Sequence, residues 1–490
     1  MILGGLLGAG LCAMPCEAVA APRPSALFAP GCVLPRECGA VVFGDQAVAG
    51  EEVRVGCNNQ WGSVMADANG RWEVSLPPLQ AGGPYVLVIE AASGTVRVED
   101  VLVGDVWLCA GQSNMANGMK DSLASEWKEA QQQAPDHQLR WLNVPLGRSP
   151  QPETRIKGDA RWMVSQPGTL GGCSAVGWQF GRHLRQELDV PVGLVVAAWG
   201  GTQAQGWIPR EALQVYDTPL VAKYDAWRLA QAKETEKEND PSGTESKPPF
   251  GHSDTPMEIY HAVIHPLVPA RFTGVLWYQG EQDAGRGRAY VQSLRALVEG
   301  WRSVFRQPDL PFLIVQLPAY GGQYSGGFVG IRDAQAEAVR LIPRTALVVT
   351  IDQGDPEDIH PKAKAEVGRR AALAARGGVH GQKVAWKSPE VIGVVAEGSS
   401  VLRVQFDTMN QALKSLDDQP LRSFEVVGAG GEFKSARAEI DARQRDVVWV
   451  WSSEVDHPTV VRYAVAPDPR ANLETGDGLA VGPFKRRVSE

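Results

Sequence analysis

The run Gly104-Asp-Val-Trp-Leu-Cys-Ala-Gly-Gln-Ser113-Asn-Met115 constrains this chain more than any other stretch. Val101, Val103, Val106, Trp107 and Leu108 form an apolar run that reads as a buried strand, and the run breaks at Gly111. Three small polar residues, Gln112, Ser113 and Asn114, follow at once. In open α/β sheets ligands collect outside the carboxyl ends of the strands. A serine on such a turn exposes its hydroxyl beside backbone N–H groups, which is what a nucleophile next to an oxyanion site needs. Ser and Asn are also common N-caps, so a turn that merely caps the next helix would carry the same residues.

What surrounds this stretch predicts where it sits. Residues 22–100 carry short alternating runs, such as Glu52–Gly56 and Arg71–Ser75, with turn signals at Asn69-Gly70 and Gly82-Gly83-Pro84. That texture predicts a small antiparallel β sandwich. From Val101 strands alternate with helices: a helix over 174–187, a strand over Val192–Ala198, strands over Gly274–Tyr278, 311–317 and 345–351, and a helix over 332–341. An Ala-rich helix is predicted over 361–376, with Pro361 at its start and Gly377-Gly378 at its end. Alternation of this kind implies a parallel, doubly wound sheet over 101–380. Residues 233–249, charged and rich in Pro, Gly and Ser, predict a solvated, mobile insertion. From 384 to 490 the β texture returns and predicts a second β domain.

Four stretches of the α/β unit place polar groups at strand ends or helix starts. They are the Ser113 turn, Trp199-Gly200-Gly201-Thr202, Gln279-Gly280-Glu281, and Asp355-Pro-Glu357-Asp358-Ile359-His360-Pro361. Together they offer a hydroxyl, oxyanion donors and an imidazole with carboxylates nearby, the parts needed for acyl transfer through serine. A serine hydroxyl needs a base, and neutral imidazole suits pH 7. Asp358 and Glu357 both lie close enough in sequence to orient His360. The amides of Ser113, Gly200 or Gly201 and the Gln279 side chain are candidate oxyanion donors, with Gln112 and Glu281 beside them. His261 and His265 compete as the base, and their i,i+4 spacing could also suggest a metal pair. His137, His183, His252, His380 and His457 read as surface or packing residues.

The chain has 490 residues, enough for two to four domains, and a formal charge of −8. An acidic balance gives no electrostatic footprint for nucleic acid and argues against anionic membrane surfaces as the main partner. Met1–Met14, followed by Ala18–Ala21, resembles a secretory leader ending near residue 21, so a secreted or periplasmic protein is expected. No other run approaches the ~20 apolar residues that span a bilayer. The remaining cysteines do not make a disulfide framework, although a Cys32–Cys38 bridge is open to the chain. No Cys/His cluster has zinc spacing, and neither a metal nor a cofactor is expected.

The combination GDVWLCAGQSNM, AAWGGT, GVLWYQGE and DIHP resembles the sialate O-acetylesterase family of the SGNH (GDSL-type) hydrolases. The opening Leu27–Arg36, the segment Ser174–Trp178 and the close around Asn472–Phe484 resemble that family too. The resemblance implies a three-layer α/β/α, flavodoxin-like catalytic domain flanked by β-sandwich-like domains. It implies Ser113 as nucleophile, His360 as base, Asp358 as its partner, and Gly201 and Gln279 as oxyanion donors. The implied substrate is an O-acetylated sugar or oligosaccharide, sialate first. An acetylxylan-type esterase and a non-catalytic glycan-binding protein are the alternatives. Gln282 is bulkier than the residue expected after QGE.

Overall fold

The computed structural model describes residues 20–235, 249–251, 253–323 and 325–488. The expected leader (residues 1–21) lies almost wholly outside them, as do His252 and residues 236–248 of the expected insertion; Lys233 to Thr235 close the helix Thr218–Thr235.

The fold is mixed α/β and is built on one long strand, β1 (Gly94–Gly111). The other members of its sheet that matter to the site are β2 (Asp136–Asn143), β3 (Met163–Ser165), β4 (Val192–Ala198), β5 (Gly274–Tyr278), β6 (Phe312–Val315) and β7 (Thr345–Val348). Their spatial order is β3-β2-β4-β1-β5-β6-β7, all parallel except the edge strand β3. The chain builds one side through β4, then crosses over β1 to start the other side with β5. That makes the end of β1 a topological switch point, where loops diverge and leave a crevice. Register adds precision: Gly111 lies level with Ala198 on one side and with Tyr278 on the other. The loops that follow these three strands therefore leave the sheet side by side.

Among the helices of the α/β unit are α1 (Ala175–Leu188), α2 (Gly287–Val304), α3 (Phe328–Leu341) and α4 (Ala365–Gly378). α1 packs on α4 and α2 on α3. At Gly368 of α4 a Cβ would come within 2.4 Å of Gln179 Cβ and 2.7 Å of the Phe180 nitrogen, so only glycine allows that approach. The expected proline-led start of α4 is not found; the helix begins at Ala365. Its orphan N–H groups are met from elsewhere, since Lys364 N and Ala365 N donate to the Glu126 carboxylate at 3.1–3.2 Å.

The N-terminal β region has antiparallel strand pairs in two sheets and is continuous with the α/β unit. β1 runs on through Asp100, where φ is +60° and the register shifts, pairing with Gly82–Ala91 and, in parallel at Leu102–Gly104, with Val33–Pro35. Residues of both regions share one hydrophobic core. The Cys32–Cys38 bridge is absent: Cys32 is fully buried and Cys38 is turned toward the Phe272 carbonyl, 3.7 Å away. The C-terminal region is β-rich, an antiparallel sheet of seven strands among the described residues, with its own core that also takes in Ala319, Val349 and Ile351. Arg370 of α4 anchors it, donating to Asp352 at 2.6 and 2.7 Å and to the Gly478 carbonyl at 2.8 Å.

Candidate active site

Gly111 makes the turn that presents Ser113. Its φ is +143°, and a Cβ there would meet the Tyr278 carbonyl oxygen at 2.1 Å. Gln112 N donates to that same carbonyl and Trp199 N donates to the Gly111 carbonyl, so both neighbouring loops are tied to the turn. Ser113 is the first residue of a one-turn helix, Ser113–Ala116. Its N–H has no intrahelical acceptor.

The His360 imidazole faces this hydroxyl, Nε2 to Ser113 Oγ being 2.8 Å. The Asp358 carboxylate accepts the His360 backbone N–H at 2.8 Å and lies 3.9 Å from Nδ1. The Asp358 and His360 side chains are 44% and 42% exposed, so the pair is partly screened by solvent. Glu357 is exposed, and its N–H and that of Asp358 donate to Asp355. Burial lowers the His360 pKa below its ordinary value, Asp358 opposes the shift, and Lys364 adds to it. The neutral, proton-accepting form is thereby favoured near neutrality.

Gly200 and Gly201 stand across the turn, with a Cβ on Gly200 reaching within 3.3 Å of Ser113 Cβ. Gly201 has φ +70°, and its N–H has no backbone acceptor among the described residues. Gln279 is placed differently. Its side chain is fully buried and spends both amide hydrogens, on the Thr202 carbonyl at 3.1 Å and on Asp283 Oδ2 at 2.7 Å. Its Oε1 accepts from the Tyr290 hydroxyl at 2.7 Å. Gln279 thus holds loops together, and both of its side-chain N–H groups are taken. Gln112 plays a similar part, its Oε1 accepting from Gly280 N and Gln282 N at 3.4 and 3.2 Å.

The sequence reading passes over three buried residues that organise the site. Asp283 accepts from Gln279, from Ala204 N at 2.9 Å and from Arg286 at 3.0 Å, while burial raises its pKa. Asn114 donates through Nδ2 to Glu281 Oε1 at 2.6 Å and to the Ile359 carbonyl at 3.0 Å. Its Oδ1 accepts from Lys364 Nζ at 2.6 Å. Asn114 lies within the quoted Ser113 stretch and Asp283 just beyond the Gln279–Glu281 one, which is the local signal for them. Lys364 offers none, because its partner is 250 residues away.

His261 and His265 do not converge on a ligand site. Their Nδ1 atoms face the Ser149 and Glu153 carbonyls at 3.0 and 2.8 Å. Among the described residues no group of three or more His, Cys, Asp or Glu side chains could hold a metal ion. His380 is buried against Asp105, 3.1 Å away. No helix of the described residues is long and apolar enough to cross a membrane.

A family model described as carbohydrate esterase, sialic acid-specific acetylesterase, matches residues 103–232 and 254–376, more than half of the chain. The chain belongs to that family. The match holds the later part of β1, the Ser113 turn, the two glycines, β5 and the His360 loop. Rat sialate O-acetylesterase is 33% identical over 359 residues, and human sialate O-acetylesterase 31% identical over 352. The alignment with each covers 66% of this chain, and 65% of the rat and 62% of the human protein, so just under two thirds of those relatives is spanned. A carbohydrate acetylesterase from Xanthomonas citri, known as a crystal structure, is similar over 95% of this chain and 99% of its own, with a TM-score of 0.80 and 32% identity.

Proposed function

We propose that this chain is a serine carbohydrate O-acetylesterase that removes O-acetyl groups from sugars, O-acetylated sialic acid being the first substrate class. The observation that carries the reading is the 2.8 Å approach of His360 Nε2 to Ser113 Oγ at the switch point of the sheet. Family membership supports the acetyl ester, and the sialate O-acetylesterases among its relatives support the sugar. The Xanthomonas acetylesterase supports a carbohydrate substrate for the full-length fold. In this reading the helices lie on both faces of the parallel sheet, the three-layer α/β/α arrangement of an SGNH hydrolase.

Ser113 Oγ attacks the acetyl carbonyl while His360 Nε2 takes its proton. The oxyanion is met by the Ser113 and Gly201 N–H groups, which no other backbone group claims. His360 then protonates the departing sugar oxygen, leaving acetyl-Ser113. Water, deprotonated by the same imidazole, attacks the acetyl carbonyl, and acetate leaves as the imidazole returns the proton to Ser113 Oγ. Asp358 orients His360; it already holds the loop through the His360 N–H, and 3.9 Å to Nδ1 closes to a hydrogen bond when substrate excludes water. Glu357, exposed, is assigned no part. The apolar leader resemblance at residues 1–21 supports export to the periplasm or beyond.

The test is acetate release from O-acetylated sialic acid and from acetylated xylan oligosaccharides, side by side, with wild type and Ser113→Ala. Release from the sialate, abolished in the variant, is the expected result. Release from xylan alone would reassign the sugar, and release that survives Ser113→Ala would end the serine mechanism.

A further inference from the structure

Ser113 and His360 come from loops 247 residues apart, and something must hold them within proton-transfer distance. The backbone does not bridge them closely. The side chain of Asn114 does, from the position next to the nucleophile. It donates to the carbonyl of Ile359, the residue before the base, and to Glu281 from the loop after β5. Its one acceptor atom is taken by Lys364, four residues beyond His360. Asn114, Glu281 and Lys364 are 0%, 6% and 2% exposed, so these bonds form with water excluded. The geometry points to Lys364 as a positioning residue that, through Asn114, keeps the Ser113 turn and the His360 loop in register for proton transfer. This inference rests on the serine-esterase reading of Ser113 and His360.

The charged groups around Lys364 come from several elements. Glu281 faces it from the loop after β5, Glu126 from the helix Ala124–Gln132, and Asp358 from its own loop. His360 feels its charge, and the Tyr278 ring lies 5.9 Å from Nζ. Glu281 Oε2 has no hydrogen-bond partner among the described residues, and burial raises the Glu281 pKa. Burial outweighs all three carboxylates at Lys364 and lowers its pKa to about 8. Loss of that proton weakens the hydrogen bond to Asn114 and leaves Glu281 without a cation, at a pH where His360 is still a competent base.

The test is the pH profile of kcat and kcat/KM for wild type, Lys364→Met, Lys364→Arg, Glu281→Gln and Ser113→Ala, with melting temperatures for each. Wild type should show a falling alkaline limb near pH 8. Lys364→Met should lose about tenfold or more in kcat, keep KM within about threefold, and lack that limb; such a pattern marks an interaction made in the transition state. Lys364→Arg, a permanent cation, should keep the limb away until well above pH 9. Glu281→Gln, which removes a neighbouring negative charge, should move the limb to lower pH. An alkaline limb at the same pH in all folded variants overturns the proposal, as does wild-type kcat in Lys364→Met. Should Lys364→Met fail to fold, Lys364→Arg and Glu281→Gln still decide by the direction in which the limb moves. Full activity in Ser113→Ala would instead sink the serine reading, whatever Lys364 does.

Discussion

The site has an open side and a closed side, and they are built on opposite rules. Ser113, His360 and Asp358 are all partly exposed and share few hydrogen bonds. Beneath them Gln279, Asp283, Asn114, Glu281 and Lys364 are buried, and each bonds to at least one other element. Reacting groups must exchange partners during turnover and cannot be over-bonded. In the proposed mechanism their placement falls to the buried residues beneath them. Activity should depend directly on the open side, and on the closed one through stability and, at Lys364, through positioning.

The sharpest break in that contrast is Ser113→Ala or His360→Ala. Each should lower kcat/KM by about 10³-fold or more while the melting temperature stays within about 2 °C. Asp283→Ala inverts the pattern. It strands three donors in the interior and should cost about 3 kcal/mol in urea unfolding, with activity lost only as structure is lost. Asp358→Asn should reduce kcat by about 10–100-fold through a misoriented imidazole, a smaller loss than for a fully buried triad because this pair is half in water. Glu357→Gln should stay within about twofold. Reversal of those two would move the orienting role to Glu357. The finest measurement is the acid limb of kcat/KM. In the proposed mechanism neutral His360 is the active form, and burial lowers its pKa. The rate should therefore rise with pH and level off at an apparent pKa below the ordinary histidine value. A limb above that value would mean that Asp358 outweighs burial.

The same division explains what was legible in the sequence. β4 and β5 are read residue for residue, because continuous apolar runs ended by glycine or a polar turn carry their own boundaries. Ser113 follows β1 directly, so a strand-end motif marks it, whereas Asp358 and His360 lie well past the end of β7 and are marked by the DIHP stretch alone. The closed side is less legible. Gln279 sits where an oxyanion donor is expected, yet its orientation is settled by Tyr290 on α2 and Asp283, contacts that periodicity does not contain. α2 itself, with Tyr290, Leu294, Leu297 and Trp301 at helical spacing, carries a readable signal that the search for motifs passes over. The start of α4 fails differently: a proline-led start agrees with local rules, but the cap comes from Glu126, 238 residues earlier. Pair contacts of that span leave no trace in one sequence.

The continuity of β1 has a consequence for anyone re-engineering this protein. The strand is at once the last of the N-terminal region and the one that delivers Ser113. Adding or deleting a single residue between Leu102 and Asp105 would invert which side chains face inward along everything downstream, up to the nucleophile's turn. An exchange of N-terminal regions between relatives must therefore preserve phase as well as length. A chimera joined one residue out of step should fail at Ser113, although the seam lies about ten residues upstream, a distance of roughly 33 Å along an extended chain.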